Sequence, residues 1–120
     1  MRTTLIIALL LFSPVSNAQN WIGLLKNTPA ERFDEEDIRL FMDLANKTLA
    51  EGKENETAKW ENPKTRAKGA MTVVRNFENK GRACRELRVQ NEVPGRKGDT
   101  RLSFCQVEGK WRLLSAQQAK

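Results

Sequence analysis

Apolar residues recur at Ile38, Phe41, Met42, Ala45 and Leu49, in steps of three and four, with Leu40 and Leu44 widening the stripe. That period belongs to one face of an α-helix lying on a core. Asp34 stands before it as a natural N-cap. Glu35, Glu36 and Asp37 fill the first turn, where the helix dipole favours negative charge. Phe33 is placed to pack against Ile38 as a staple, and Gly52 is a natural C′ residue. The pattern predicts a helix over 35–51. A lead-in over 19–29, ended by Pro29, is either a docked turn of helix, with Trp21 and Leu25 on one face, or a loose strand of chain.

Beyond Gly52 the period shortens to two. Segments rich in β-branched and aromatic residues alternate with Gly, Pro and Asn, which predicts strands at about 57–61, 69–77, 82–91, 100–107 and 110–115. Glu108-Gly109 suits a two-residue hairpin that pairs Val107 with Lys110, Phe104 with Leu113 and Leu102 with Ser115. Setting Cys84 opposite Cys105 pairs Leu87 with Leu102 and Val89 with Thr100. The apolar residues then share one face and both cysteines the other, and a slip of one residue breaks both matches. Asn79-Lys80-Gly81 reads as a three-residue turn with a bulge, pairing Glu78 with Arg82, Val73 with Leu87, Met71 with Val89 and Phe77 with Ala83.

The expected inner face is Met71, Val73, Phe77, Leu87, Val89, Leu102, Phe104, Trp111 and Leu113. Helix 35–51 covers it, giving an α+β domain with one main N-terminal helix on an antiparallel meander of four to five strands. One conflict remains in this register: Arg75 and Arg85 fall opposite each other on the inner face. Either both reach solvent at the margin, or a helix carboxylate such as Asp37 or Asp43 meets one of them.

The first residues follow a different logic. Arg2 precedes an unbroken apolar run, Leu5 to Phe12, and Ser16-Asn17-Ala18 follows the break at Ser13-Pro14. This order of charge, apolar run and small-residue site marks residues 1–18 as a cleavable signal peptide, cut after Ala18. The run is too short for the roughly 20 residues that a membrane-spanning helix needs. The exported part, 19–120, is then a single small domain, with no transmembrane segment expected in it. The expected location is the periplasm, or peripheral attachment at the outer membrane.

Export changes the meaning of the two cysteines. In an oxidising compartment Cys84 and Cys105 are expected as a disulfide, and with no histidine in the chain they make at most half a zinc shell. No cofactor is expected. With both thiols bonded and the carboxylates at 34–37 explained by the helix start, no catalytic set is in view, and the chain reads as non-enzymatic. The net charge of +6, or +5 without Arg2, leaves two readings. Charge spread along the chain serves solubility. Gathered on a surface, Arg82, Arg85, Arg96, Lys97 and Arg101 would suit a polyanion such as lipopolysaccharide or a wall polymer. Glu86 and Arg88, with Ser103 and Arg101, are candidates for a polar binding surface near the disulfide. Nucleic acid is not expected as a partner of an exported chain.

From Trp60 to Leu113 the chain resembles the C-terminal domain of the rickettsial 17 kDa surface antigen family. Trp60-Glu61-Asn62-Pro63 followed by Gly69 is similar to that family's Trp-x-Asn-Pro stretch. Cys84-Arg85-Glu86-Leu87 is similar to its Cys-Arg-Glu-aromatic motif, and Cys105, Gly109 and Trp111 to its closing Cys and Gly-x-Trp. The resemblance implies a cell-envelope protein, usually associated with the outer membrane, without known catalytic activity. The leading expectation for this chain is a non-enzymatic envelope domain that binds another envelope component. The family's lipidation cysteine and glycine-rich segment are absent from this sequence.

Overall fold

A computed structural model describes residues 21–23 and 25–118. The expected signal peptide lies outside the described residues. A 3₁₀ turn, Pro29–Arg32, leads into helix α1, Glu35–Glu51. Five strands follow: β1 Thr57–Asn62, β2 Ala67–Asn79, β3 Arg82–Val93, β4 Arg96–Val107 and β5 Lys110–Gln118. The strands form one antiparallel sheet in chain order, a meander, with α1 packed on one face. The architecture is the α+β layer pair that the two periodicities predict. None of the described helices is long and apolar enough to cross a membrane.

The helix begins where its acids predict. Asp34 accepts from the backbone N–H of Asp37 at 2.8 Å, and Asp37 Oδ2 accepts from that of Asp34 at 3.0 Å, a reciprocal capping box. It ends at Gly52, for a different reason than a left-handed cap. Gly52 is extended (φ −63°, ψ 139°), but a Cβ there would collide with the Thr48 carbonyl and lie 2.7 Å from Val73 Cγ2. Glycine lets the chain leave the helix pressed against the sheet.

The core lies between the layers. Phe41, Met42, Ala45 and Leu49 of α1 meet Met71, Val73, Leu87, Val89, Leu102 and Phe104 of the sheet, all buried. α1 packs mainly on β1 and β2, while the 3₁₀ turn packs on β3 and β4. The lead-in is docked: the Trp21 ring stands 5.5 Å from Phe41 and 5.3 Å from Phe104, between helix and sheet. Phe33 stacks edge-on to Trp60 at 5.1 Å. The Trp60 indole in turn lies across Gly69 of the neighbouring strand, where any Cβ would strike the indole nitrogen and approach Asn91 Oδ1 to 2.6 Å.

Register matches expectation along β3–β4, including Cys84 opposite Cys105, Leu87 opposite Leu102 and Val89 opposite Thr100. The loop left between the expected strands 82–91 and 100–107 is only a Pro94-Gly95 turn, so both strands run longer. Two other registers are corrected. Asn79 pairs with Arg82, leaving Lys80 and Gly81 as a two-residue turn with φ of 52° and 77°, the type I′ geometry that matches strand twist. The extra residue expected in that turn sits inside β2 instead, as a bulge at Val74. Val73 still faces Leu87, but residues 75–79 shift by one. Phe77 therefore pairs with Cys84 on the outer face, not with Ala83 on the inner one, and Arg75 pairs with Glu86. The like-charge conflict between Arg75 and Arg85 disappears with the shift. In β5 a second bulge at Leu114 sets Leu102 opposite Ala116, where the sequence predicts Ser115.

Candidate functional site

Alternation divides the candidate residues between the two faces of the sheet. Arg85 belongs to the inner face, and the structure gives it a fold-holding role. Its guanidinium donates to the Thr48 carbonyl at 3.2 Å and to the Leu49 carbonyl, and its Nε donates to Asn76 Oδ1 at 2.7 Å. The group also lies over the Trp111 ring, 5.1 Å from its centre. α1 has no basic residue in its own last turn, so a strand supplies the cation that its C-terminal dipole favours. Asp37 and Asp43, the expected partners, are engaged elsewhere. Arg85→Ala is expected to cost about 1–2 kcal/mol, with Arg85→Lys recovering only part of it because one ammonium cannot reproduce the guanidinium fork. Urea melts of the two variants check this, and equal stability of wild type and Arg85→Ala would contradict the cap.

The outer face carries the other candidates except Arg96. Cys84 and Cys105 are disulfide-bonded there and almost fully buried. Phe77 lies beside them in the cross-strand row, with the Arg75 guanidinium 4.3 Å above its ring. Glu86 joins two cations: its carboxylate receives Arg75 at 3.0 Å and Arg101 at 3.1 Å. Arg88 makes a forked contact with Asp99, both oxygens 3.0 Å from its Nε. Further along, Glu92 sits between Lys68 and Lys97, each at 3.2 Å. Arg96, on the inner side of β4, reaches Glu31 at 3.4 Å.

The basic residues are therefore not gathered into one patch. Arg82 and Arg85 start β3, whereas Arg96 and Lys97 face its far end, roughly 25–35 Å away at strand rise. Arg101 lies between them, and Arg75, Arg88, Arg96, Lys97 and Arg101 all stand against carboxylates. The sequence foresaw the residues but not these pairings, because they depend on the bulge at Val74 and on the full lengths of β3 and β4.

Beside the Glu92 row the outer face forms an open groove of about 920 Å³. Its floor is Gly69, Ala70 and Gln90; Lys59 and Glu61 stand on one side, Lys97 and Asp99 on the other. No residue of the 3₁₀ turn or α1 borders it, which sets it on the face away from the helix. Sequence reasoning missed this groove. Its available signal was Ala70, the small residue between Lys68 and Thr72 on the outward-facing phase of β2. Hydrogen bonds from Lys68 and Lys97 hold the Glu92 carboxyl below its usual 4.5. A depressed folded value means that the contribution of this cluster is present above 4.5 and fades as pH falls through the folded midpoint. A carboxyl-detected NMR titration should find Glu92 titrating below 4.5, and Lys68→Met should move it upward. An unmoved midpoint would show that Lys68 does not hold it.

The residues that carry the family resemblance have contacts of their own. Trp60 lies on Gly69, Asn62 donates to Asp37 at 2.7 Å, Cys84 bonds Cys105, Arg85 joins the helix end to Trp111, and Glu86 links β2 to β4. Packing and bonding within the domain account for them. No family model, curated protein or solved structure matches this chain.

Proposed function

We propose that the chain is an exported, non-enzymatic domain of the cell envelope that binds another envelope component on the outer face of its sheet. The observation that carries this reading is the open groove on that face, floored by Gly69 and Ala70 and walled by charges of both signs. Such a surface offers hydrogen bonds and ion pairs to a polar partner, and the paired charges around it are already ordered before binding. The apparent signal sequence and the surface-antigen resemblance support the envelope as the setting. The absence of histidine from the sequence and the bonding of both thiols support binding over catalysis. A polyanion partner is the weaker alternative, since the basic residues are spread along the sheet and matched by carboxylates.

The test is photo-crosslinking in intact cells, with the reactive side chain placed at Gln90 in the groove or at Asp43 on the exposed helix surface. A discrete adduct from Gln90 and none from Asp43 is expected. Identical adducts from both positions, or none from Gln90, would reject the outer-face reading. Retention on lipopolysaccharide or heparin that weakens steeply with salt would favour the polyanion instead.

A further inference from the structure

The two end strands of the sheet are treated differently. β1 is six residues long, displays Lys59 and Glu61 on its outer face, is followed by Pro63, and lies under α1. Short length, alternating charge, proline and a covering helix are the devices that keep an edge from pairing with another chain. β5 has fewer of them. It is nine residues long, it lies beyond the strands that α1 and the 3₁₀ turn mainly cover, and no strand among the described residues pairs with its free edge. Residues 113–118 carry no charge. Trp111 and Leu113 remain half-buried although they pack on the core, and Leu114, 51% exposed, is the large apolar residue most open to solvent among the described residues.

We infer that the free edge of β5 pairs with β5 of a second copy of this chain, antiparallel about a two-fold axis at Leu114. The distribution of charge makes β5 compatible with a second copy of itself, and in this direction only. Both cations of the strand, Lys110 and Arg112, lie in its first half. An antiparallel copy sets Arg112 opposite Ala116, Lys110 opposite Gln118 and Leu113 opposite Ser115, so each cation meets an uncharged residue. A parallel copy would stack Arg112 on Arg112 and Lys110 on Lys110, which is unfavourable. The pairing is isologous and closed, joining two five-stranded sheets into one of ten.

Three features set its strength. An edge of nine residues is about 30 Å long, which places the contact at the small end of specific interfaces. The Leu114 bulge interrupts regular pairing. Each copy is net positive, so long-range repulsion opposes the approach. The association is therefore weak and reversible, with a dissociation constant of roughly 10–100 µM. Screening the repulsion strengthens it, the opposite of the salt response of a basic surface on a polyanion.

Sedimentation equilibrium of the oxidised, exported protein tests this, at concentrations up to about 1 mM and at low and high salt. A reversible monomer–dimer equilibrium that tightens with salt is expected. Leu114→Lys should weaken it about 10-fold or more, and Leu114→Glu likewise, each with an unchanged thermal melt because the position is exposed. Mixing the Lys and Glu variants should restore dimer, because the two-fold brings the two positions together. A protein that stays monomeric throughout overturns the inference. So does a dimer indifferent to Leu114→Lys, or a Lys–Glu mixture no tighter than either variant alone. A monomer whose Leu114→Lys variant loses an envelope crosslink assigns the edge to a different protein and overturns the second copy.

Discussion

Asp37→Ala is expected to remove about 3–5 kcal/mol of stability, a large part of what a domain of this size has. Asp37 is 1% exposed, and its carboxylate accepts three hydrogen bonds. Oδ2 accepts from the Asp34 backbone at 3.0 Å, while Oδ1 accepts from Asn62 Nδ2 and Thr65 Oγ1, each at 2.7 Å. The same carboxylate thus caps the helix and ties down the β1–β2 loop. Asn62 Oδ1 in turn accepts from the Lys64 backbone, and Thr65 Oγ1 from that of Ala67. Truncation leaves donors facing apolar surroundings, with the Asn62 amide 4% exposed, and an unpaired buried polar group costs about 1–3 kcal/mol. Asp37→Asn keeps Oδ1 as an acceptor and loses the one at Oδ2, so its cost should be smaller, about 1–2 kcal/mol. Urea unfolding followed by tryptophan fluorescence gives both numbers. A loss below about 1 kcal/mol for Asp37→Ala would show that the network is dispensable.

Removing the disulfide should have the next largest effect. Cys84 and Cys105 are 21 residues apart, and closing a loop of that size restricts the unfolded chain by about 3 kcal/mol. The double variant Cys84→Ser/Cys105→Ser is expected to fold to the same sheet with its urea midpoint lowered accordingly. An unchanged midpoint would mean that the β3–β4 hairpin already confines the unfolded chain. Mass spectrometry without reductant provides the companion measurement: the chain should be two hydrogens lighter than after reduction, and two free thiols would contradict the bond.

Much of this fold is legible in local sequence signals. Helix 35–51 is recovered end to end because its start, stripe and stop are each written in neighbouring residues. The β3–β4 register is legible because two independent patterns, apolar and cysteine, agree on it. The turn after Asn79 misleads because Lys80 adopts a left-handed conformation that its side chain does not advertise. The bulge then moves to Val74, where nothing local marks it, and residues 75–79 change face. Arg85 shows a second kind of limit. Its partners on α1 are 36 and 37 residues away in sequence, so only the packed helix reveals that a candidate binding residue serves the fold. Asp37 reads as one acid among three at a helix start until the β1–β2 loop is seen to close over it. The groove is harder still, since it arises from what Ala70 lacks among the outward-facing residues of β2.

The Arg85 contact also bears on the order of assembly. α1 precedes every strand in the sequence, so it is synthesised first, yet the cation that completes its last turn arrives only with β3. Until then its C-terminal carbonyls face water without that partner, and the isolated segment should fray from Leu49 backwards. Helix and sheet are thus obliged to finish together. In kinetic terms, Arg85→Ala should accelerate unfolding and leave refolding nearly unchanged, because docking of the helix end belongs to the native side of the barrier.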